Sequence, residues 1–460
     1  MRDQILKALK GSRADFTDIR IEREWQTQVL YRRDNLENLA ASLEVGGIVR
    51  CLVGGGWGIV VFNSLDDLGR RVEEACQIAR TVGRRVAEKV HLAPVEPVQA
   101  KLPAHLGKDP RSVPLRQKQE LLQSCNAIML RGDSRIVTTM ASYSDSFREI
   151  TLANSEGTFI VEERPDVTLL LMATAREGET NIQTGIEHEG WVAGFEAVED
   201  KEEMAEKALR RALDLLQARP ARGGNYTVVL DPELTGVFIH EAFGHLCEAD
   251  FVSKNPRLME ILQPGRQFGV PELNVIDDGY VPNLRGNTPY DDEGTPRRQV
   301  YLIRDGILQG FMHSRETAAR MGSEPTGNAR AVSYHFEPIV RMRNTYIDRG
   351  SVPLEEMVRG IDHGIYACKA LGGQTELEQF TFSAAYAYQI EHGQVGEMAR
   401  DVVLTGNVFE TLRNIDSIGD DLNVRGGAGG CGKQGQNHLA TTMGGPHIRI
   451  QDVTIGGRVE

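Results

Sequence analysis

The sequence has no long apolar run and no apolar segment near its amino terminus. A helix needs roughly 20 consecutive apolar residues to span a membrane, and no stretch of the chain approaches that length. The first residues, MRDQILKALK, are amphipathic and include an early acid, unlike the core of a signal peptide. We therefore expect them to form the first helix of a soluble globular protein with no membrane partner.

Acidic residues outnumber basic ones, and cysteines are few. The net charge is −13, and without a basic patch the chain would repel the phosphate backbone, so direct nucleic acid binding is not expected. The six cysteines show neither CxxC nor disulfide-like spacing. In a chain of this length that pattern favours a reducing compartment, the cytoplasm, where a special cysteine would act as a ligand or a nucleophile.

The order of predicted elements indicates an α+β protein of two domains. Residues 1–218 are predicted to form an N-terminal α/β domain with antiparallel strands, containing a proline-rich linker or ordered crossover loop at about 92–114. Pro220 and the pair Gly223-Gly224 mark the expected boundary. Residues 219–460 are predicted to form a β-rich C-terminal domain, and its first helix, beginning at Pro232, carries the motif described below.

The alternation of apolar and polar residues, together with turn-forming residues, divides the chain into short predicted helices and strands. An α-β-β-β-β-α unit is predicted first, with Ser64 as the N-cap of its second helix. Five short strands are then expected in an antiparallel meander, separated by turn clusters such as NSEG and REGE. In the second half, Asp305-Gly306 and His392-Gly393 are predicted hairpin turns.

One segment, HEAFGH from His240 to His245, carries a recognisable chemical pattern. It resembles the HExxH signature of metallopeptidases with one residue inserted, as HExxxH. Residues five apart on a regular α-helix point about 140° away from each other, so the two imidazoles could not share a metal ion. A π-bulge adds one residue to the turn and would remove this difficulty. The spacing therefore predicts an i→i+5 bond or an unwound turn near Gly244, a residue expected to tolerate unusual backbone geometry.

Two imidazoles would leave a metal site incomplete, so a third ligand is needed. Cys247, Glu248, Asp250 and a residue distant in sequence are the candidates. Cys247 would point away from His245 on any helical geometry, which favours a position in the core. Cys431 stands out among distant residues because glycines crowd around it in VRGGAGGCGKQGQNH, and such a loop can bring a thiolate to a fixed point. Two histidines and a cysteine would suit Zn²⁺ and leave a fourth position for water.

HEAFGHLCEADF, together with the loop GGAGGCGKQGQ, resembles the TldD/PmbA family, also called the modulator of DNA gyrase family, and specifically its TldD-like metalloprotease branch. Three further segments, DFTDIRIERE, YDDEGTPRRQVYLIRDGILQGFMHSRETA and PHIRIQDV, extend the resemblance over essentially the whole chain. The resemblance implies that His240, His245 and Cys431 bind a divalent metal and that Glu241 is catalytic. It also implies an N-terminal α/β domain followed by a β-rich C-terminal domain.

The resemblance further implies hydrolysis of short or unfolded peptides in an active site enclosed by a dimer. The dimer would be a homodimer or a heterodimer with a TldE/PmbA-like partner. Zinc is the metal favoured by ligand type, although the spacing is also compatible with Fe²⁺ or Mn²⁺. Glu241 would act as the general base.

Two other hypotheses stay open on the sequence alone. In one, the chain is a non-enzymatic regulatory or binding protein whose metal site is structural. The carboxylate of Glu241 argues against this, because a purely structural site does not need it. In the other, the chain is a cysteine hydrolase with Cys431 as nucleophile and a histidine as base.

Overall fold

The computed structural model describes residues 1–376 and 378–456. The chain folds as an α+β protein in which antiparallel strand pairs predominate, as the sequence predicted. Separate hydrophobic clusters fill the two halves of the chain. Among the described residues, no helix has both the length and the apolar character that crossing a lipid bilayer requires.

The first half of the chain forms a sheet with helices packed against it. Its strands are β1 (Phe16–Arg32), β2 (Asn35–Val53), β3 (Gly56–Phe62), β4 (Gln99–Leu102), β5 (Ile136–Asn154), β6 (Phe159–Glu177) and β7 (Asn181–Trp191). Its helices are α1 (Arg2–Gly11), α2 (Leu68–Gly83), α3 (Leu115–Arg131) and α4 (Glu202–Gln217). The strand order is β3-β2-β1-β5-β6-β4, with β7 paired to another part of β6. Because β4 pairs in parallel with β6, the segment at about 92–114 is an ordered crossover along the sheet.

The strands of this sheet are longer than the sequence predicted. β1, β5 and β6 each run without interruption where the alternation suggested two short strands. The first unit therefore has three strands between its helices instead of the predicted four, and the division of the meander into five strands is also wrong. The polar residues inside β5 are bonded within the protein instead of forming a turn. The Asp145 carboxylate accepts hydrogen bonds from Lys118 Nζ at 2.6 Å and from the Tyr143 hydroxyl at 2.7 Å. Such buried bonds let a polar residue continue a strand.

The second helix of the chain begins later than predicted. Its N-cap is Asp67, whose carboxylate accepts a hydrogen bond from the Arg70 backbone N–H at 3.2 Å. Ser64 lies before the helix, where its hydroxyl donates to Asp66. The prediction of Ser64 as the cap is wrong because aspartate is an equally good capping residue and Asp67 directly precedes Leu68, the first buried residue of the helix.

The second half is rich in short strands. Its strands are β8 (Arg219–Pro220), β9 (Gly224–Leu230), β10 (Val275–Asp278), β11 (Gln299–Arg304), β12 (Ile307–Leu308), β13 (Ala329–Arg330), β14 (Ile339–Val340), β15 (Asn344–Ile347), β16 (His363–Glu376), β17 (Gln379–Glu391), β18 (Gln394–Arg400), β19 (Val403–Asn407), β20 (Ile415–Ile418), β21 (Asn423–Arg425), β22 (Cys431–Lys433), β23 (Gln436–Leu439), β24 (Thr442–Gly445) and β25 (Ile448–Gly456). Its helices are α5 (Pro232–Ile239), α6 (Ala249–Val252), α7 (Pro256–Ile261), α8 (Arg315–Met321), α9 (Leu354–Arg359) and α10 (Val408–Arg413).

These strands form two main sheets. The first has the order β16-β9-β25-β19-β17-β18-β8, with β20 on β25, and an added pairing of β16 with β17 closes part of it into a ring. The second has the order β12-β11-β10-β15-β24-β21. The predicted hairpin turns at Asp305-Gly306 and His392-Gly393 are confirmed, because all four residues have the positive φ that tight hairpins require.

Helix α5 is buried between these two sheets. On one side the Phe238 ring packs edge-on against Phe380 and Phe382 of β17, with ring centroids 5.6 and 6.1 Å away. On the other side α5 approaches β24 so closely that a Cβ at Gly236 would collide with the backbone of Gly444. The helix that carries the chemical motif is therefore fixed from both sides.

Buried ion pairs join the two halves of the chain. Asp292, from the loop before β11, lies 3.3 Å from Arg20 and 2.9 Å from Arg164 of the first sheet. Glu293 lies 3.4 Å from Arg50. The predicted domain boundary between residues 218 and 219 stays a prediction, and residues 457–460 of the second predicted domain lie outside the described residues.

Phe238→Ala tests the packing of α5. The side chain is 1% exposed, so its truncation should lower the free energy of unfolding by about 3–5 kcal/mol. Urea unfolding followed by fluorescence and circular dichroism measures the shift. Phe251→Ala is the matched control, because this phenylalanine is 42% exposed and its loss should change stability by no more than about 0.5 kcal/mol. Equal shifts for the two variants would contradict the described core.

Candidate metal centre

The chemical motif begins at the end of α5 and continues through a wider turn. The Asp231 carboxylate caps α5 by accepting the Leu234 backbone N–H at 2.8 Å, and Pro232 occupies the first turn. After Ile239 the chain forms a π turn over His240–Gly244, in which the His245 N–H donates to the His240 carbonyl. The predicted i→i+5 bond is thus confirmed. The added residue brings the two imidazoles together, with ring centroids 5.1 Å apart.

Glycine is needed at position 244 of this turn for a different reason than the sequence suggested. Its φ of −56° and ψ of −50° are ordinary right-handed helical values, so no unusual backbone conformation requires glycine here. A Cβ at this position would instead collide with Met342 Sδ. The expectation of an unusual conformation is wrong, and the requirement is close packing of the π turn against the segment that follows β14.

Cys431 reaches the two histidines from a hairpin far along the chain. It is the first residue of β22, and its Sγ lies 3.3 Å from His245 Nε2. One donor atom from each of His240, His245 and Cys431 lies within 4.8 Å of the others. The structure therefore brings together the three residues that the sequence singled out. Cys247, by contrast, is fully buried in the apolar cluster, as expected.

Contacts from both halves of the chain hold the loop before Cys431. Arg285 donates to the Gly427 carbonyl at 2.6 Å and forms an ion pair with Asp166 of β6, also at 2.6 Å. The Gly190 N–H of β7 donates to the Gly426 carbonyl at 2.9 Å. The first sheet thus contributes directly to the position of the cysteine, although it supplies none of the three donor atoms.

The charges around the three donors depend on one another. Burial alone would raise the pKa of Cys431, but the two neighbouring imidazoles, His240 and His245, outweigh it and lower that pKa to about 5. Burial alone would lower the pKa of His245, yet Glu248 and Cys431 raise it well above its usual value. A thiolate, the form in which cysteine binds metals, is thus favoured at neutral pH.

His240 has a buried ring without hydrogen bonds. It is 0% exposed, and neither ring nitrogen finds a hydrogen-bond partner among the described residues. A buried polar group left in this way costs about 1–3 kcal/mol, and such exceptions call for an ion or another explanation. The unpartnered imidazole beside a thiolate and a second imidazole is a donor set that fits a divalent cation such as Zn²⁺.

Glu241 lies at the edge of this group. Its Oε2 is 3.9 Å from His245 Nε2, and its side chain is 30% exposed. The carboxylate is therefore close to one of the donor atoms and partly open to solvent.

Comparison with known proteins assigns the family. Family models described as the PmbA/TldA metallopeptidase match residues 17–79 (domain 1), 108–216 (central domain) and 223–457 (C-terminal domain). The chain belongs to the TldD/PmbA family.

Similar proteins extend over the same length. A metalloprotease of Synechocystis sp. is 45% identical over 447 residues, covering 97% of this chain and 96% of that protein. A zinc metalloprotease TldD homolog of Saccharolobus solfataricus is 29% identical, with 97% of each chain covered. The crystal structure of TldE from Thermococcus kodakarensis has a TM-score of 0.78 at 18% identity, covering 99% of this chain and 100% of that one. This last likeness shows the fold.

In this member of the TldD/PmbA family, a cleft of about 340 Å³ opens beside the Cys431 hairpin. Its walls come from β7, the first turns of α5, β21 and the glycine-rich loop, and they include Glu187, Glu233, Val237, Arg425, Gly430 and Thr441. Val237 of α5 lies four residues before Glu241, and Gly430 directly precedes Cys431. The cleft therefore lies next to the segments that carry Glu241 and Cys431.

Glu248 and Asp250, which were considered from the sequence as possible ligands, contact His245 and Lys433. Glu248 Oε2 accepts a hydrogen bond from His245 Nδ1 at 2.9 Å, and Asp250 Oδ1 lies 2.6 Å from Lys433 Nζ. Lys433 was not singled out by the sequence analysis. One signal could have indicated it: residues 431 and 433 are two apart on a strand, so their side chains share a face.

Gly244→Ala tests the packing of the π turn. The added Cβ must displace Met342, so stability should fall by about 1–3 kcal/mol, the usual range for overpacking. Gly310→Ala is the control, because a Cβ there has no neighbour within 4 Å. Thermal unfolding of the two variants measures the difference. If Gly244→Ala is as stable as Gly310→Ala, the described contact is wrong; combining it with Met342→Ala should reduce its effect.

Proposed function

We propose that this chain is a metal-dependent peptidase that hydrolyses short or unfolded peptides. His240, His245 and Cys431 would hold a divalent cation, with Zn²⁺ favoured, and Glu241 would be the general base. The observation that carries the proposal is the buried His240 ring, whose nitrogens lack hydrogen-bond partners among the described residues and which lies beside His245 and Cys431. The relatives named metalloprotease and zinc metalloprotease support it.

Each residue of the site has a role in this proposal. The cation would supply Lewis-acid activation of a water molecule and of the scissile carbonyl. Glu241 would accept the proton of the attacking water and pass it to the leaving amine. Glu248 would hold the His245 ring in the tautomer whose Nε2 faces the site, by accepting the hydrogen bond from Nδ1–H.

An extended peptide could reach the site along β21. This strand is the last in its sheet, and among the described residues no strand pairs with its outer edge. Asn423 and Arg425 of β21 line the cleft beside the Cys431 hairpin. A peptide that adds to this edge would be recognised through its main chain, which would allow many sequences but exclude folded proteins.

A second chemistry fits one part of the geometry. His245 Nε2 lies 3.3 Å from Cys431 Sγ, and His245 Nδ1 lies 2.9 Å from Glu248 Oε2. A cysteine hydrolase uses such a nucleophile, base and orienting carboxylate. That function would leave the His240 imidazole and the Glu241 carboxylate without a role, which is why we favour the metallopeptidase.

We further propose that the chain works as a dimer, with a second copy or with a TldE/PmbA-like partner. In β2, the residues before Gly47 pair with β1 on one side, and within the described residues no strand covers their other side. Leu36, Leu39 and Leu43 on this segment are 39–50% exposed. A long, apolar, open strand edge is a surface that another chain is expected to cover.

Glu241→Gln tests the catalytic proposal. The variant should bind one equivalent of zinc like the wild type but lose peptide hydrolysis by at least about 100-fold, the usual contribution of a general base. His240→Ala is the comparison, because it should lose both metal and activity. Elemental analysis and digestion of an unfolded peptide library, with and without EDTA, measure both properties. Full activity of the metal-free wild type would instead support the cysteine hydrolase.

A double substitution on β2, Leu39→Lys with Leu43→Lys, tests the dimer. The wild type, alone or co-expressed with a TldE-like protein, should scatter light as a dimer. The double variant should scatter as a monomer, because like charges on a strand edge oppose pairing. Ile78→Lys, at an exposed position of α2, should leave the dimer intact. A monomeric wild type under both conditions would show that the dimer proposal is wrong.

A further inference from the structure

The hairpin that carries Cys431 has few side chains with which to hold its position. Glycines occupy most positions from 426 to 435, and a chain rich in glycine has high conformational freedom. The backbone of the hairpin has one firm attachment at the cysteine itself, where Arg341 donates to the Cys431 carbonyl at 2.7 Å. Fixing the direction of a cysteine side chain to fractions of an ångström requires further contacts on the same strand.

Lys433 supplies such contacts. It follows Cys431 by two residues on β22, and its side chain is only 10% exposed. Its ammonium group lies 2.6 Å from Asp250 Oδ1, 3.1 Å from Glu248 Oε2 and 2.8 Å from the Val340 carbonyl oxygen. Asp250 Oδ1 and the Val340 carbonyl accept hydrogen bonds from the ammonium group, and Glu248 Oε2 forms an ion pair with it.

The Glu248 carboxylate connects this lysine to a histidine. Its side chain is 1% exposed, and the same oxygen, Oε2, accepts a hydrogen bond from His245 Nδ1 and forms an ion pair with Lys433 Nζ. The His245 ring then presents Nε2 to Cys431 Sγ, 3.3 Å away. The contacts therefore form a closed path: from the cysteine along its strand to the lysine, through the carboxylate to the imidazole, and back to the sulfur.

We propose that Lys433 is a positioning residue that ties the Cys431 hairpin to the His245 imidazole through Glu248, so that the thiolate and the imidazole keep a fixed mutual position. The proposal rests on the proposed metal-binding function and extends it to a residue that touches neither metal nor substrate. Outer contacts of this kind orient a ligand before the metal binds, and their loss lowers metal affinity by roughly 10- to 100-fold.

The simpler alternative is that Lys433 only neutralises two buried carboxylates. In that case its removal would destabilise the fold, because an unpaired buried charge is costly, but the folded protein would bind metal as tightly as the wild type. Metal affinity, measured well below the unfolding transition, therefore separates the two roles.

The experiment compares Lys433→Met with Lys254→Met in the full chain. Lys254 is exposed and close in sequence to Asp250, so it controls for the loss of a positive charge. Zinc affinity is measured by competition with a chromophoric chelator, and thiolate ligation by the sulfur-to-metal charge-transfer band of the Co²⁺-loaded protein. We expect Lys433→Met to weaken zinc binding roughly 10- to 100-fold and to reduce or shift the cobalt band, while Lys254→Met matches the wild type.

A second variant keeps the inference testable if Lys433→Met does not fold. Glu248→Gln retains an acceptor for His245 Nδ1–H but gives Lys433 a neutral partner, so it should weaken zinc binding in the same direction. In a double-mutant cycle, Lys433→Met should add little once Glu248 is replaced. Wild-type zinc affinity and an unchanged cobalt band in both single variants would overturn the role of Lys433. Failure of the wild type to bind zinc or cobalt would instead overturn the proposed metallopeptidase function.

Discussion

The hydrogen bond from the His245 N–H to the His240 carbonyl is the constraint on which the site depends. An α-helical bond pattern would leave the two imidazoles about 140° apart around the helix axis. The wider turn brings them together, and only then can a thiol from another part of the chain meet both. The turn persists because α5 is held on both sides and because Gly244 lets Met342 approach closely.

Contacts from distant parts of the chain hold Cys431 and the loop before it in position. Arg341 binds the backbone at Cys431, while Arg285 links the preceding loop to Asp166 of the first sheet. Glycines in the loop permit these close approaches, and the arginines replace the side-chain packing that glycine cannot provide. The first half of the chain therefore belongs to the site as a support, which is one physical reason for the contact between the two halves.

The side chains of the site are buried close together, so their charges affect one another. Two imidazoles, a thiolate and the Glu248 carboxylate would each be unfavourable alone in an apolar environment. Together they stabilise one another: burial alone would raise the pKa of Glu248, but His245 and Lys433 lower it to about 2. His240 is the exception, since its ring nitrogens find no hydrogen bond among the described residues. The ring nitrogens of His240 are buried without partners in the described part of the protein, so this residue indicates an external ligand most clearly.

The sequence by itself determined the features that depend on neighbouring residues. The α+β class, the two hairpin turns and the wide turn after α5 all follow from local periodicity, turn residues and spacing. The pairing of the histidine motif with Cys431 rested on the glycine-rich loop and on a family resemblance, and the structure brings these residues together. Tertiary structure decided the rest. It joined strands that looked interrupted, because buried partners such as Lys118 satisfy their polar residues. It also required glycine at position 244 through Met342, and it brought Lys433 to Glu248. These outcomes depend on contacts between residues about 30 to 190 positions apart, and such contacts leave no periodic signal in the chain.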